Sequence, residues 1–166
     1  DSRPAAGGTP SAPGDSMPPT DPSNSEQQAD LDRLLIREVI KSQLTSLMIA
    51  SIPPQVTQEA LREKLADTGF GERYDFLYAP RVFKSGSGRG YAIINLSSAD
   101  VTALFVERWS GAVFWKNQRQ PLAVSKAEHQ GLDQLMTLCS RRKLHRIKNP
   151  SFRPYLRGPW LVETTV

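Results

Sequence analysis

Two hydrophobic periodicities alternate along the middle of this chain, and their order restricts the fold more than any other feature. Apolar runs with the two-residue repeat of strands occupy 47–52, 74–78, 91–96 and 122–125. Pro53-Pro54 stops the first run, and a helix is predicted to follow it. Thr57 is placed to cap that helix, with Val56 and Leu61 forming a hydrophobic staple across its first turn. Leu61 and Leu65 continue the apolar face, and Gly69 suits the left-handed position that closes a helix. After the third run, Ser97 with Asp100 opens a second helix, stapled by Leu96 and Val101. Val101, Leu104, Phe105 and Trp109 line or flank its inner face. The order is βαββαβ, a split pair of βαβ units. It predicts an α+β, ferredoxin-like sandwich: a four-stranded antiparallel sheet with two helices on one face. The other face is left bare, so what stands on it decides the function.

The flanks divide by composition. Residues 1–24 are rich in Pro, Gly and Ser, hold Met17 as their one large apolar residue, and read as disordered linker. From 25 to 44 the chain reads as an amphipathic helix, about 26–42, with Ser25 and Gln28 at capping-box spacing. Leu31, Leu34, Leu35 and Val39 share one face, with Ile36 and Ile40 beside it. Such a helix either covers part of the 45–130 domain or meets a protein partner. Leu132, Leu135, Met136 and Cys139 then mark a helix within 131–146, lying beside the sheet or partly across its open face. A basic and aromatic tail, 147–166, closes the chain.

Net charge is a modest +4, but it is clustered. From Arg141 to Arg157 every charged residue is basic: Arg141, Arg142, Lys143, Arg146, Lys148, Arg153 and Arg157. A block of this kind suits a polyanion. Cys139 is the single cysteine, which excludes an internal disulfide and fits a reducing compartment, nucleus or cytoplasm. No apolar run approaches the ~18–20 residues of a membrane-spanning helix, so no membrane contact is expected. The chain opens on Asp1 rather than Met, so a missing targeting segment carries no information.

The stretch Arg89-Gly90-Tyr91-Ala92-Ile93-Ile94-Asn95-Leu96 resembles the eight-residue ribonucleoprotein motif of the RNA recognition motif. Residues 47–52 resemble its six-residue partner. Met48-Ile49, Ile52-Pro53, Thr57-Gln58-Glu59, Gly69-Phe70, Tyr74-Asp75-Phe76 and the run from Gly90 to Asn95 look closest to the Mei-two-like, meiosis-regulator subfamily. The resemblance runs from about Thr45 to Lys143. It implies single-stranded RNA binding and a post-transcriptional regulator.

Strand alternation makes the same argument chemically. Arg89, Tyr91 and Ile93 share one face of the third strand, while Ala92, Ile94 and Leu96 form a small or aliphatic core face. On the first strand Leu47 and Ile49 turn inward, leaving Met48 and Ala50 on the open side. Tyr91 is thereby expected to stack a base while Arg89 takes a phosphate or a base plane. Aromatics usually stand where this chain has Met48 and Ile93. The two missing rings cost about 2–6 kcal/mol, some 30-fold to 10⁴-fold, less whatever apolar contact Met and Ile return. Arg81 and Lys84, in the glycine-rich loop before the third strand, are candidates to grip RNA backbone, as are Ser125, Lys126, Arg141 and Arg142. In the tail, Phe152 and Tyr155 alternate with Arg153 and Arg157 and either stack bases or pack back on the domain. The reading is a weak, salt-sensitive RNA binder with little sequence discrimination.

Tyr74, Phe76 and Tyr78 share a face if their strand is regular, with Phe76 expected in the core; a bulge would change this. Trp109, Phe114 and Trp115 are expected as core and loop anchors. The loop Gly86-Ser87-Gly88-Arg89-Gly90 enters a strand, not a helix, which disfavours a phosphate-cradling loop. His129, His145 and Cys139 lack a third ligand or an orienting carboxylate at useful spacing, so no metal, cofactor or catalytic role is expected. The alternative function is a degenerate module of the same fold that binds proteins.

Overall fold

A computed structural model describes residues 22–157. Most of the 1–24 linker and the last nine residues of the tail, 158–166, lie outside the described residues. Helix α1 (Pro22–Ser42) precedes β1 (Ser46–Ala50), α2 (Gln58–Asp67), β2 (Tyr74–Tyr78), β3 (Tyr91–Leu96), α3 (Ala99–Trp109) and β4 (Ala123–Lys126). Then come α4 (Leu132–Arg141), two short 3₁₀ helices, Leu144–Arg146 and Pro150–Phe152, and β5 (Tyr155–Leu156). The sheet is antiparallel in the order β4-β1-β3-β2-β5. It therefore has five strands rather than four. The C-terminal segment returns to the free edge of β2 and adds a strand there, which covers backbone groups that would otherwise be exposed.

Leu47, Ile49, Leu77, Ala92, Ile94, Leu96 and Val124 turn to one side of the sheet. There they meet Leu61 and Leu65 of α2 and Phe105, Val106 and Trp109 of α3. Trp109 stacks on Phe105 at 4.9 Å and meets Phe114 edge-on at the same distance, which makes these rings core anchors as expected. Thr57 caps α2 by accepting from the Ala60 amide. At α3 the cap is Ser98 rather than Ser97, accepting from the Val101 amide. Helix α1 starts earlier than predicted, so Ser25 lies within it and is no cap.

Helix α1 packs on α3. Val39 and Leu44 are buried with Ala99 and Ala103, while Leu35 and Ile36 lean on both clusters. Asp32 accepts from the Ser110 hydroxyl at 2.8 Å on the same side. The inward stripe is thus rotated from the predicted one, and Leu31 and Leu34 remain 59% and 57% exposed.

Strand β2 carries the bulge that decides where its rings point. Its register to β3 shifts between Tyr74 and Phe76, so Asp75 and Phe76 both oppose Asn95. Tyr74 consequently enters the core beside α2, whereas Phe76 and Tyr78 stand on the opposite face. Phe76 is buried, but not in the core predicted for it. Helix α4 lies over it, with Leu135 and Cys139 against Phe76 and with Tyr78, Ile93 and Leu132 packed around them.

One side chain ties the start of α4 to the sheet. Gln130 accepts from the Thr45 and Ser46 amides through Oε1, and donates through Nε2 to the Ser46 and Ala127 carbonyls. Ser46 Oγ in turn accepts from the Gly131 amide at 2.9 Å. These bonds pair backbone groups of Thr45, Ser46, Ala127 and Gly131 where the chain turns onto the open face.

Candidate nucleic-acid interface

Cross-strand pairing sorts the open face into rows. Tyr91, Ala50 and Ala123 form the row at one end of the sheet. Tyr78, Ile93, Met48 and Ser125 form the next. Phe76, Asn95 and Ser46 form a third. Helix α4 covers the third row and the β2–β3 half of the second. Tyr91, Ala50, Ala123, Met48 and Ser125 are left at its side, all half-buried or exposed. Of the two substituted platform positions, Met48 is therefore open and Ile93 is largely taken up by contact with the helix.

The third row is polar where it is not aromatic. Asn95 Oδ1 accepts from the hydroxyls of Thr45 and Ser46 at 2.8 and 2.7 Å. Its Nδ2 donates to Asp75 at 2.8 Å. The bulge brings Asp75 to this amide, so the carboxylate nearest the face already has a hydrogen-bond partner.

Tyr91 stands half-buried at the uncovered end, with Ala50 beside it and Ala123 beyond on the same side. Arg89 is exposed next to it, its own amide donating to the Pro80 carbonyl. Tyr78 reports the surroundings. Burial pushes its phenol above the usual tyrosine value, and Tyr91 and Cys139 act in the same direction, while Arg142 and Arg89 pull it down. The two arginines thus sit close enough to the Tyr78 phenol to act on it electrostatically. They reach it from different elements, Arg142 from the cap of α4 and Arg89 from the loop before β3. Arg141 is exposed beside Arg142, and Lys84 is exposed at the loop tip.

Two predicted contacts are placed elsewhere. Arg81 is 9% exposed, and its guanidinium donates to the carbonyls of Gly86, Val56 and, at 3.5 Å, Pro54. It is an internal strut that shapes the 81–88 loop, not a free hand for RNA. The loop is correspondingly well bonded, with Val82 donating to Ser87 and Gly88 to Pro54, each at 2.7 Å. A Cβ on Gly88 would come within 3.3 Å of the Pro54 carbonyl, a tight contact to which the neighbouring backbone would have to give by a few tenths of an ångström. Lys126 shares the inward side of β4 with Val124 and forms an exposed 2.6 Å ion pair with Glu38 of α1. Ser125, one residue earlier, is the member of that pair on the open face.

The tail also packs back. Phe152 stacks on Phe83 at 6.2 Å, Tyr155 meets Tyr74 at 5.6 Å, and Arg62 lies 3.8 Å above the Tyr155 ring. Arg157 donates to the Tyr74 and Gly71 carbonyls. The basic block is therefore split: its Arg141–Lys148 part is largely exposed, while Arg153 and Arg157 help hold β5.

Cys139 is buried under α4, and burial pushes its thiol up to about 12. A thiol reagent at pH 8 is expected to leave it unmodified in the folded protein and to react after denaturation. The ordinary value is 9.0, so between about pH 9 and 12 the unfolded chain gives up this proton and the folded chain keeps it. Its contribution to stability is complete below pH 9 and falls by ~1.4 kcal/mol per unit above it. Denaturant melts of the parent and Cys139→Val at pH 8 and 10 measure the difference; parallel losses in both would sink it.

Among the described residues no group of three or more His, Cys, Asp or Glu side chains is placed to hold a metal ion. No helix among them is long and apolar enough to cross a membrane.

Comparison with known proteins gives concordant matches. The family model for RNA recognition motif 2 matches residues 44–139. Protein MEI2-like 5 of Arabidopsis thaliana is 31% identical over 115 residues, which is 69% of this chain and 14% of that protein. Protein MEI2-like 2 of the same plant is 32% identical over 103 residues, 61% of this chain and 12% of that protein. The chain thus spans only a small part of these relatives. Among solved structures, the Rna15 RRM with bound RNA (GU) aligns with 58% of this chain and 96% of its own, at 17% identity and a TM-score of 0.46. Sex-lethal RNA recognition domains 1 and 2 from Drosophila melanogaster align with 51% of this chain and 50% of their own, at 23% identity and a TM-score of 0.43.

Proposed function

This chain belongs to the RNA recognition motif 2 family, and from that premise we propose that it binds single-stranded RNA on the uncovered part of its sheet. One observation carries the reading: Tyr91 stands at the open end of the sheet, with the exposed Arg89 beside it and the exposed Arg142 near Tyr78 in the adjacent row. A base stacks on Tyr91 and makes apolar contact with Met48, and the guanidinium groups take the flanking phosphates. Ser125 offers a hydroxyl at the far side of Met48. With α4 over Phe76 and Ile93, the platform holds one or two bases, which supports modest affinity and little sequence discrimination. Lys84, Arg141 and the neighbouring basic residues supply the charge. A post-transcriptional regulatory role follows from binding of that kind.

Titration with a fluorescent single-stranded RNA at 50 and 200 mM salt tests this. Log affinity is expected to fall with log salt by about 0.7 for each phosphate contact, so three contacts give a slope near −2. Absence of binding, or binding indifferent to salt, would overturn the reading.

A second reading has one observation behind it. Leu31 and Leu34 leave an exposed apolar flank on α1, on a helix otherwise seated on α3, and this supports a protein partner there. RNA binding that survives while Leu31→Ser/Leu34→Ser loses a partner would assign the two activities to separate faces.

A further inference from the structure

The C-terminal segment encloses space as well as closing the sheet edge. Between it and the first turns of α2 lies a cleft of about 670 Å³. Arg62 and Arg81 line it from the domain, Arg153 lines it from the segment, and Phe152 and Tyr155 form apolar walls. Glu59 is the one carboxylate among its lining residues. Among the described residues none of the three guanidinium groups has a carboxylate within 4.0 Å; the ion pairs found there are Arg33–Asp30 and Lys126–Glu38.

Counting donors separates these arginines. Arg81 is committed to loop carbonyls. Arg153 uses Nε on the Ile147 carbonyl at 2.6 Å, and Arg62 uses Nε on the Tyr74 hydroxyl at 3.1 Å while lying flat on Tyr155. Among the described residues the terminal nitrogens of both have no hydrogen-bond partner, which leaves four N–H donors on each. Both guanidinium groups are already held by Nε, so little further ordering is needed to bind. Paired, anchored forks of this kind match the oxygens of a phosphate better than a single ammonium does.

Position supplies the occupant. Helix α2 begins where β1 ends, so the cleft lies at the same end of the sheet as Tyr91 and Arg89. Only the 81–88 loop separates the two places. Arg81, whose side chain lines the cleft, is bridged to Gly88, the residue before Arg89. Lys84 and the 64% exposed Phe83 stand on the loop between them.

We propose that Arg62 and Arg153 hold a phosphate of the same single-stranded RNA after it passes Tyr91 and crosses the loop. This rests on the RNA reading above. It extends the site from the sheet face around the loop to the α2 side.

The test uses the whole chain with uridine oligonucleotides of 4 and 12 nucleotides and an acidic peptide as competitor. The 12-mer is expected to bind the parent more tightly than the 4-mer does. Arg62→Gln/Arg153→Gln is expected to lose about tenfold on the 12-mer, with a salt slope shallower by about 0.7, and to leave the 4-mer unchanged. Arg153→Gln alone, which spares the Arg62–Tyr155 stack, is expected to shift the 12-mer in the same direction and to lower the melting temperature only slightly, because one hydrogen bond, to the Ile147 carbonyl, is lost. Equal losses on both lengths, or no loss on the 12-mer, would overturn the cleft while leaving RNA binding intact. Parent protein that binds neither length would overturn both readings. An acidic peptide that binds the parent and displaces no RNA would assign the cleft to a protein ligand instead, and overturn this one.

Discussion

Replacing Tyr91 and Arg89 together by alanine is expected to weaken single-stranded RNA binding by about 60- to 1600-fold and to leave thermal stability almost unchanged. A base stacked on an aromatic ring contributes about 1–3 kcal/mol, and a hydrogen bond to a charged group adds a further ~1.5 kcal/mol. Together these give about 2.5–4.5 kcal/mol, at ~1.4 kcal/mol for each tenfold. Stability is spared because Arg89 is exposed and Tyr91 half-buried, outside the inward-facing core. Fluorescence anisotropy with a short oligonucleotide reads the first quantity and circular dichroism melting the second. Wild-type affinity in this variant would reject the sheet as the RNA surface. It would move RNA binding to another surface, such as the exposed basic residues from Arg141 to Lys148.

The second large effect is on the cover of the sheet. Leu135 is fully buried between α4 and Phe76. Truncating a buried leucine to alanine costs about 2–5 kcal/mol, depending on how far the surroundings collapse. Leu135→Ala is therefore expected to lower the melting temperature and loosen α4. The contacts of this helix run to Phe76, Tyr78 and Ile93 and not to the main core. Its release should consequently precede global unfolding, in the manner of a locally weaker unit. Cys139 reports it directly: the variant's thiol should become reactive at pH 8 at temperatures where the β-sheet signal is intact. Thiol reactivity that appears only with global unfolding would show that α4 and the sheet melt as one body. Gln130 would be a sufficient cause, because three of its four hydrogen bonds fasten the start of α4 to Thr45 and Ser46 at the start of β1.

Much of this architecture was readable in the order of residues. The four main strands and the two helices behind them appear where alternation, caps and staples put them. Tyr91, Met48 and Ser125 stand on the open face because side chains on a strand alternate strictly. The same rule places Lys126 on the inward side with Val124, away from Ser125, and alternation alone separates the two. Arg81 looked like its neighbour Lys84. Nothing local distinguishes an arginine that reaches solvent from one that finds a carbonyl of its own loop and two of the distant Pro54–Val56 segment.

The rest was decided by contacts between segments far apart in the chain. The bulge at Asp75 depends on Asn95, twenty residues on, and it moves Phe76 and Tyr78 to the face opposite Tyr74. Whether the apolar stripe of α4 lies beside the sheet or on it depends on the rings that the bulge turned outward. The fifth strand exists because the β2 edge has free backbone groups and Tyr155 has Tyr74 and Arg62 to pack against. Periodicity and capping act within a few residues, so the sequence alone determined the four main strands and the main helices, their order, and the inward faces of β1, β3 and β4. Burial of a surface requires a partner surface, so only the tertiary structure decided how much of the sheet stayed open and which arginines remained free to bind.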